Sequence, residues 1–177
     1  SLTALLEGLY DGTTMIPDTV TVELRNSTAP YSLVEQIKIL LNSEGQGSGI
    51  FLNAANSTPY YLVVKHRNSI ETWSAVSQSF TSNVMSYDFT NSSSQAYGNN
   101  LILKNSKWCV YSGDVNQDGF VDVQDLNQVF SDNVNGNIGY MQSDLNGDLF
   151  TETEDLGIVF INFVRGVERN RPPGFMN

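Results

Sequence analysis

The sequence has little cysteine, little histidine and few basic residues. Its 177 residues include one Cys, one His and nine Lys and Arg against 19 Asp and Glu, so the formal net charge is -10. A single cysteine excludes an intramolecular disulfide and a cysteine-rich zinc site. Nucleic acids and anionic membrane surfaces require a basic face, so the acidic excess excludes both as partners. Cys109 lies in the apolar run "WCVY", which predicts a buried thiol.

Long hydrophobic runs and catalytic signatures are missing as well. No apolar stretch approaches the roughly 20 residues that cross a bilayer, so we expect no insertion into a membrane. No charged-then-apolar leader follows Ser1, which leaves an intracellular protein or one whose leader has been removed. The sequence contains no G-x-S-x-G, phosphate loop or H-E-x-x-H, and no signature supplies His66 with a nucleophile and an acid. We therefore predict that the protein is not an enzyme and has no catalytic residue.

The first part of the chain, residues 1–112, has the pattern of a β-sheet protein. The run "TVTVELRN" alternates, with Val20, Val22 and Leu24 on one face, which is typical of a half-buried strand. Further strand-like runs follow at 36–40, 49–53, 60–66, 71–76, 86–90, 100–104 and 107–111. Turn residues separate many of them, so the pattern predicts an antiparallel β-sandwich or barrel, of which we favour the sandwich. The apolar segment "SLTALLEGLY" is expected to form a strand in its own domain or in the open sheet of a neighbouring molecule.

Residues 113–177 differ from the first part in charge and in hydrophobic period. Residues 1–112 carry eight acids and six bases (net -2), whereas residues 113–177 carry eleven and three (net -8). Apolar residues recur here at i, i+3, i+4 and i+8, which predicts one face of a helix. The pattern occurs twice, thirty residues apart, at Leu126, Val129, Phe130 and Val134 and at Leu156, Val159, Phe160 and Val164. We therefore predict two domains, 1–112 and 113–177, with a duplication inside the second.

The acidic residues before each predicted helix have the spacing of a calcium-binding loop. A hard cation takes six to eight oxygens, and a 12-residue loop supplies them from positions 1, 3, 5, 7 (the carbonyl), 9 and 12. In the first loop these are Asp114, Asn116, Asp118, Phe120, Asp122 and Asp125, and in the second Asp144, Asn146, Asp148, Phe150, Glu152 and Asp155. So many carboxylates would repel one another unless a cation lay among them. The sequence predicts two Ca²⁺ sites, preferred over Mg²⁺, which keeps more of its water.

The two loops differ in the residue at the sharp backbone turn. Gly119 occupies position 6 of the first loop, whereas the second loop has Leu149 there and Gly147 two residues earlier. We therefore expect a more strained turn and a lower affinity in the second loop. Position 8 of each loop, Val121 and Thr151, is predicted to pair with its counterpart as a short link between the sites.

The segments "GDVNQDGFVDVQDL" and "SDLNGDLFTETEDL" resemble a dockerin, since each precedes a helix and lacks the helix that enters an ordinary EF-hand loop. The resemblance covers roughly residues 113–170, and Asp at position 12 agrees with it. It implies an extracellular bacterial protein that attaches to another protein. At positions 10 and 11, where the family usually has a small hydroxylated pair, this chain has Val123-Gln124 and Thr153-Glu154. The first part resembles, more loosely, a β-rich module that precedes such calcium pairs at the C-terminus of large secreted bacterial surface proteins.

These observations favour a non-catalytic, extracellular, calcium-binding structural protein that assembles with copies of itself or with another surface protein. The apolar N-terminal segment suggests, more specifically, the self-polymerising subunit of a bacterial surface filament or pilus. One alternative is a dockerin-type module that recruits a larger secreted enzyme to its partner. Another is a carbohydrate-binding module, in which a sugar-stacking platform would be formed by Tyr60, Tyr61, Trp73, Tyr87 and Tyr97.

Overall fold

A computed structural model of the chain describes residues 1–175. Within them the strands are β1 (Leu2–Thr3), β2 (Asp18–Asn26), β3 (Leu33–Leu41), β4 (Gln46–Gly47), β5 (Pro59–His66), β6 (Ser69–Trp73), β7 (Gln78–Ser79), β8 (Tyr87–Asp88), β9 (Ile102–Lys104) and β10 (Lys107–Cys109). Two short 3-10 turns, Ser93–Gln95 and Tyr97–Asn99, precede β9, and the helices α1 (Val123–Val134) and α2 (Thr153–Arg165) follow β10. No helix in this part of the chain has the length and apolar character needed to cross a membrane.

The strands form a sandwich-like arrangement with two main sheets. One sheet has the order β3-β2-β5-β6, with β7 added to β5, and its neighbouring strands are antiparallel. The other has the order β4-β1-β8. Side chains from both sheets, such as Val22, Leu62 and Leu2, share one core and are at most 4% exposed. Cys109 also lies in this core, as predicted, and burial raises the pKa of its thiol to about 12. The prediction of a mainly β, sandwich-like fold is confirmed.

Strand β2 shows how the alternating pattern fixes the core. The three apolar residues at alternate positions are almost completely buried, as predicted, namely Val20, Val22 and Leu24. Burying each such side chain contributes about 1.5–3 kcal/mol. Glu23, on the other face, is also buried because Arg25 Nε (2.6 Å) and Lys65 Nζ (2.9 Å) form ion pairs with its carboxylate.

The N-terminal segment pairs within its own chain. Strand β1 lies between β4 and β8, antiparallel to the first and parallel to the second, and Leu6 forms a parallel bridge with Val110. The prediction of purely antiparallel pairing is therefore wrong in this sheet. Leu2, Leu5 and Leu9 are only 3–4% exposed. Its side chains complete the first core, so the segment forms a strand in its own domain, the first of the two predicted alternatives.

The strand predicted at 49–53 does not form, and a loop takes its place. The carboxylate of Glu35, on β3, accepts the backbone N–H groups of Leu52 (3.0 Å) and Asn53 (2.7 Å). These side-chain hydrogen bonds replace the bonds of a strand ladder. Leu52 is 84% exposed, so the apolar residues of this run do not all point into the core.

The two helices pack on a second, smaller core. Val129 of α1 and Val159 of α2 are fully buried there together with Val115 and Leu145. Ile70 of β6 belongs to the same core, so the loop–helix part packs directly on the β part. Apart from Ile70 and Tyr111, the two cores lie on either side of the predicted domain boundary after residue 112, which stays a prediction.

The C-terminal segment, residues 171–175, returns to the β part. Arg171 forms a two-point ion pair with Glu71 of β6 (Nε–Oε1 2.6 Å, Nη2–Oε2 2.8 Å). Phe175 packs edge-on against Trp73, with ring centroids 5.4 Å apart. Burial raises the pKa of Glu71, but hydrogen bonds from Arg171 and Trp73 outweigh burial and lower this pKa to about 2. The segment therefore fastens the end of the chain to the five-stranded sheet.

Candidate metal centre

The two acidic loops have the same internal structure. In the first loop, the carboxylate at position 12, Asp125, accepts the backbone N–H groups of Val115 (2.9 Å) and Asn116 (3.1 Å). The second loop repeats these bonds thirty residues later at 2.7 and 3.1 Å, from Leu145 and Asn146 to Asp155. Each loop is thereby curled around its last acidic residue, and the duplication seen in the sequence is also a duplication in structure.

The first acidic residue of each loop is buried with one oxygen unsatisfied. Gly119 N donates to Asp114 Oδ2 (3.1 Å), and Gly147 N donates to Asp144 Oδ1 (2.8 Å). The other carboxylate oxygen of each aspartate is buried and has no hydrogen-bond donor among the described residues. A buried acceptor without a donor destabilises a fold by about 1–3 kcal/mol, and by more when it is charged. Both loops therefore present an oxygen that requires a positively charged or donor partner.

The other predicted ligands occupy equivalent places in the two loops. At positions 3 and 5, the asparagine Oδ1 accepts the N–H of the aspartate, at 2.9 Å for Asn116 and Asp118 and at 3.0 Å for Asn146 and Asp148. At position 9, Asp122 and Glu152 are the N-cap residues of the two helices. At position 7, Phe120 and Phe150 take part in single antiparallel β bridges, Phe120 with Glu168 and Phe150 with Ile138.

The charge of the first loop is not balanced within the loop. Burial raises the pKa of Asp114, and the nearby carboxylates of Asp125 and Asp118 raise it further, to about 7. A divalent cation would offset both effects, since it supplies positive charge and takes carboxylate, amide and carbonyl oxygens as ligands. The residues present therefore fit Ca²⁺, and their role as calcium ligands stays a prediction.

The predicted link between Val121 and Thr151 is wrong. Val121 N donates to the carbonyl of Val167 (2.9 Å), and Thr151 N donates to that of Asn137 (3.3 Å). Each loop therefore pairs with the segment that follows the helix of the other loop. In this crossed pairing, each loop–helix unit makes the same kind of backbone contact with the other unit. The pairing holds the two candidate sites next to the shared core.

The turns of both loops require left-handed backbone at two positions, but the loops place glycine differently. Position 6 is Gly119 (φ +94°) in the first loop and Leu149 (φ +74°) in the second. Position 4 is Gln117 (φ +62°) in the first loop and Gly147 (φ +81°) in the second. Each loop thus holds one side chain in a conformation that favours glycine, so strain is shared by both loops and is not confined to the second.

Leu149→Gly is expected to raise the free energy of unfolding by about 0.5–1 kcal/mol. Left-handed backbone costs a residue with a side chain about 1–2 kcal/mol, and the greater freedom of glycine in the unfolded chain offsets about 0.5–1 kcal/mol of the gain. Leu149 is 51% exposed, so little packing is lost. Urea denaturation in calcium measures the change. The matched variant Gly119→Ala should be destabilised, because the φ of +94° disfavours any side chain and the new methyl would displace the Arg169 side chain. A loss of stability in Leu149→Gly would refute the strain.

One acidic residue near the second loop was not predicted. The carboxylates of Asp148, Glu152 and Glu154 each offer an oxygen, and these oxygens lie within 4.8 Å of one another. Glu154 stands at position 11, where the first loop has Gln124. The acidic residue at position 11 could have indicated this cluster, but position 11 does not supply a ligand in the regular 12-residue calcium loop.

His66 is buried at the end of β5 between two polar partners. Its Nδ1 lies 3.0 Å from Ser69 Oγ, and its Nε2 lies 3.1 Å from Asp18 Oδ2. Burial lowers the pKa of His66, although the hydrogen bond to Asp18 opposes this change. Ser69 is 1% exposed and offers no surface to a substrate. We interpret these three residues as a structural link between β2, β5 and β6.

The helices expose part of the apolar face that the periodicity predicts to be buried. Only Val129 and Val159 are fully buried, whereas Phe130 is 56% exposed and Phe160 is 53% exposed. The outer ends of the two faces are also open, at Val134, Ile161 and Val164. The second core is too small to cover two faces, so part of each apolar face stays exposed. We call the exposed set, Phe130, Val134, Phe160, Ile161 and Val164, the helix faces.

The aromatic residues considered for sugar stacking do not form a platform. Trp73, Tyr60 and Tyr87 are at most 8% exposed. Trp73 is surrounded by edge-on rings, including Tyr31 at 6.1 Å and Tyr61 at 5.7 Å. These rings pack against one another, and the geometry does not favour a carbohydrate-binding surface at these positions.

No family model and no curated relative matches the sequence. Among solved structures, the chain is similar to one in a C-terminal interface mutant of a type II cohesin–X–dockerin complex from Acetivibrio cellulolyticus. The TM-score is 0.53 and the identity 15%, over 94% of this chain and 93% of that chain. A chain in an N-terminal interface mutant of the type II complex is similar over 81% and 80%, with a TM-score of 0.47 and 18% identity.

The first of these matches concerns the fold of nearly the whole chain. A match over 94% of the chain includes the β part and most of the loop–helix part. At 15% identity the likeness shows the fold alone. The chain is therefore a mainly β, sandwich-like protein with two helices, and its fold occurs in an assembly of protein modules.

Proposed function

We propose that this chain is a non-catalytic, extracellular attachment module in which two Ca²⁺ ions hold the helices that bind another protein. The calcium part of the proposal is carried by the buried, unsatisfied oxygens of Asp114 and Asp144. Each lies at the start of a loop whose other predicted ligands also bind through oxygen atoms, which calcium prefers. A dissociation constant of about 1 µM, within the range of 12-residue calcium loops, would make millimolar calcium a thousandfold excess and keep both structural ions bound.

The helix faces supply the docking surface. Phe130 and Phe160 hold equivalent places in the duplicated units, and both are more than half exposed. Exposed aromatic residues in a polar surround are typical of protein-binding sites, where they contribute most of the binding energy. Because residues 113–177 carry a net charge of -8, a partner with an apolar patch and a basic rim is favoured.

The fold comparison supports a cohesin-type module as that partner. The similar chain comes from a complex of a cohesin with an X module and a dockerin, in which residues of the binding interface were mutated. In the present chain a β-rich part precedes a duplicated pair of loop–helix units, which is the order of an X module followed by a dockerin. We therefore assign the attachment role to the loop–helix part and a supporting role to the β part.

Binding to the cohesin of the Acetivibrio cellulolyticus complex tests this function. We expect immobilised cohesin to retain the chain in millimolar calcium and to release it in EGTA. The double variant Phe130→Ser/Phe160→Ser should lower the affinity at least about 100-fold, since each buried aromatic anchor contributes about 2 kcal/mol or more. Surface plasmon resonance measures both effects.

The control for this experiment is Leu40→Ser. Leu40 lies on β3 and is 66% exposed, so the substitution removes an exposed apolar side chain outside the helix faces. Its affinity should equal that of the wild type. Wild-type affinity in the double variant would refute docking through the helix faces, and capture by a dockerin in place of a cohesin would assign the receptor role to the β part.

Self-assembly into a surface filament is a second candidate, and the helix faces are the observation that favours it. The N-terminal segment does not favour it, because that segment completes its own core. Sedimentation velocity in calcium distinguishes the candidates. Oligomers that disappear in Phe130→Ser/Phe160→Ser would indicate that copies of the chain dock on one another, whereas a monomer agrees with attachment to a different protein.

A further inference from the structure

The turn between β5 and β6, Arg67 and Asn68, is inserted between the two acidic loops. Asn68 is fully buried, and its carbonyl accepts the N–H of Gly113 (2.7 Å) just before the first loop. Its Nδ2 donates to the carbonyl of Asp144 (2.9 Å) at the start of the second loop. Arg67 Nη1 donates to the same carbonyl (2.6 Å) and to that of Met141. The β part therefore holds the first residue of the second loop through two side chains.

Arg67 also places a positive charge beside the unsatisfied oxygen of the second loop. Its Nη2 lies 3.8 Å from Asp144 Oδ2, the buried oxygen that has no hydrogen-bond donor. The guanidinium is fixed on its other sides by Asp18 Oδ2, 3.4 Å from Nε, and by the ring of Tyr140, 4.3 Å from Cζ. Its side chain is only 12% exposed, so it is held in this position.

The first loop lacks a counter-charge of this kind. The carbonyl of Asp114 accepts a hydrogen bond from Gln117, which belongs to the same loop and also donates to the carbonyl of Ser69 on β6 (3.4 Å). Among residues 1–175, no lysine or arginine nitrogen forms an ion pair with the carboxylate of Asp114. Two loops with the same internal hydrogen bonds therefore differ in whether the β part supplies an anchor and a counter-charge to the first acidic residue.

We propose that Arg67 is a positioning residue that keeps the second loop in its binding conformation without metal, so that the two loops respond unequally to calcium. This inference rests on the proposed calcium function. The second loop is pre-organised by the β part, whereas the first loop takes its ordered conformation only when a cation neutralises its carboxylates. Calcium then acts mainly on the first loop and on α1, which follows it.

Hydrogen exchange of equivalent amides tests the proposal on the full chain by NMR. In EGTA, the amides of Leu145 and Asn146 should exchange at least about tenfold more slowly than those of Val115 and Asn116, which make the same bonds in the first loop. In calcium, both pairs should be slow. Arg67→Met should bring Leu145 and Asn146 to the fast exchange of the first loop in EGTA only.

The matched control is Lys38→Met, which removes a cation from β3 without touching either loop and should leave all four amides unchanged. Amides in the β2–β5 pairing report whether Arg67→Met merely unfolds the β part. Equal exchange of the two loops in wild-type protein in EGTA, or a slow second loop in Arg67→Met, would overturn the proposal. If calcium slows neither loop while Arg67→Met still exposes the second, the calcium function fails and the anchoring role remains.

Discussion

Removing calcium with EGTA is expected to lower the melting temperature of this protein by about 8–16 °C for each site. A ligand that binds only the native state at a thousandfold excess over its dissociation constant adds about 4 kcal/mol. In a chain of this size, each kcal/mol moves the melting temperature by about 2–4 °C. The structural reason is the buried carboxylate oxygen at the start of each loop, which loses its bound cation. Arg67, 3.8 Å from Asp144 Oδ2, keeps a positive charge at the second loop, so the first loop should lose more of its order. Calorimetry in calcium, in magnesium and in EGTA measures the effect, and magnesium should protect less.

Asp114→Asn provides the control, because its effect on stability should change sign with calcium. In calcium, the variant lacks a charged ligand and should melt below the wild type. In EGTA, the pKa of Asp114 is raised in the folded protein to about 7, so its charge destabilises the fold progressively as the pH rises from about 4 to 7. The neutral asparagine should therefore melt at or above the wild-type temperature at pH 7. Equal melting temperatures of the wild type with and without calcium would refute the metal sites.

Arg171→Gln is expected to lower the free energy of unfolding by about 3 kcal/mol at pH 7. Glu71 is 8% exposed and receives a two-point ion pair from Arg171, which fastens the C-terminal segment to β6. In the fold its pKa is about 2, compared with the ordinary 4.5, and each pKa unit corresponds to about 1.4 kcal/mol. Burial alone would raise this pKa, so removing Arg171 leaves a carboxylate that the site disfavours. Urea denaturation at pH 7 measures the loss.

The same variant should show little loss at pH 2. Because the pKa of Glu71 is lowered in the fold, its stabilisation is complete above about pH 4.5 and disappears as the pH falls towards 2. Lys107→Gln removes one charge from the exposed end of β10 and should change stability little at either pH. A loss in Arg171→Gln that is as large at pH 2 as at pH 7 would show that the ion pair is not its cause.

Local patterns in the sequence were sufficient for both helices and the longer strands, although not for the strand predicted at 49–53, and for the spacing of the candidate ligands. Alternation identified β2, because a strand with one buried face must repeat with a period of two, as Val20 and Val22 show. The calcium-loop spacing located the two loops, and Asp125 and Asp155 lie where that spacing places the last ligand. Ligand spacing and loop shape define where the ligands lie, and the role of these residues in binding calcium stays a prediction.

The features that the sequence did not predict depend on contacts between distant residues. Periodicity shows that Phe130 belongs to an apolar face, but coverage of that face depends on the volume of the core opposite it. The ion pair between Glu71 and Arg171 joins residues one hundred positions apart, and no local sequence pattern predicts it. Arg67 likewise had no signal in the sequence, because its importance comes from the acidic loop that the fold brings to it.

The crossed pairing of the two loop–helix units implies that neither unit can fold without the other. The backbone partner of Val121 is Val167 in the second unit, and that of Thr151 is Asn137 in the first. Either unit made alone would lack both its partner segment and half of the small core, so a single unit should remain an unfolded peptide. The pair is thus an indivisible folding unit, and any ancestral single copy would have needed to dimerise before the duplication joined two copies in one polypeptide.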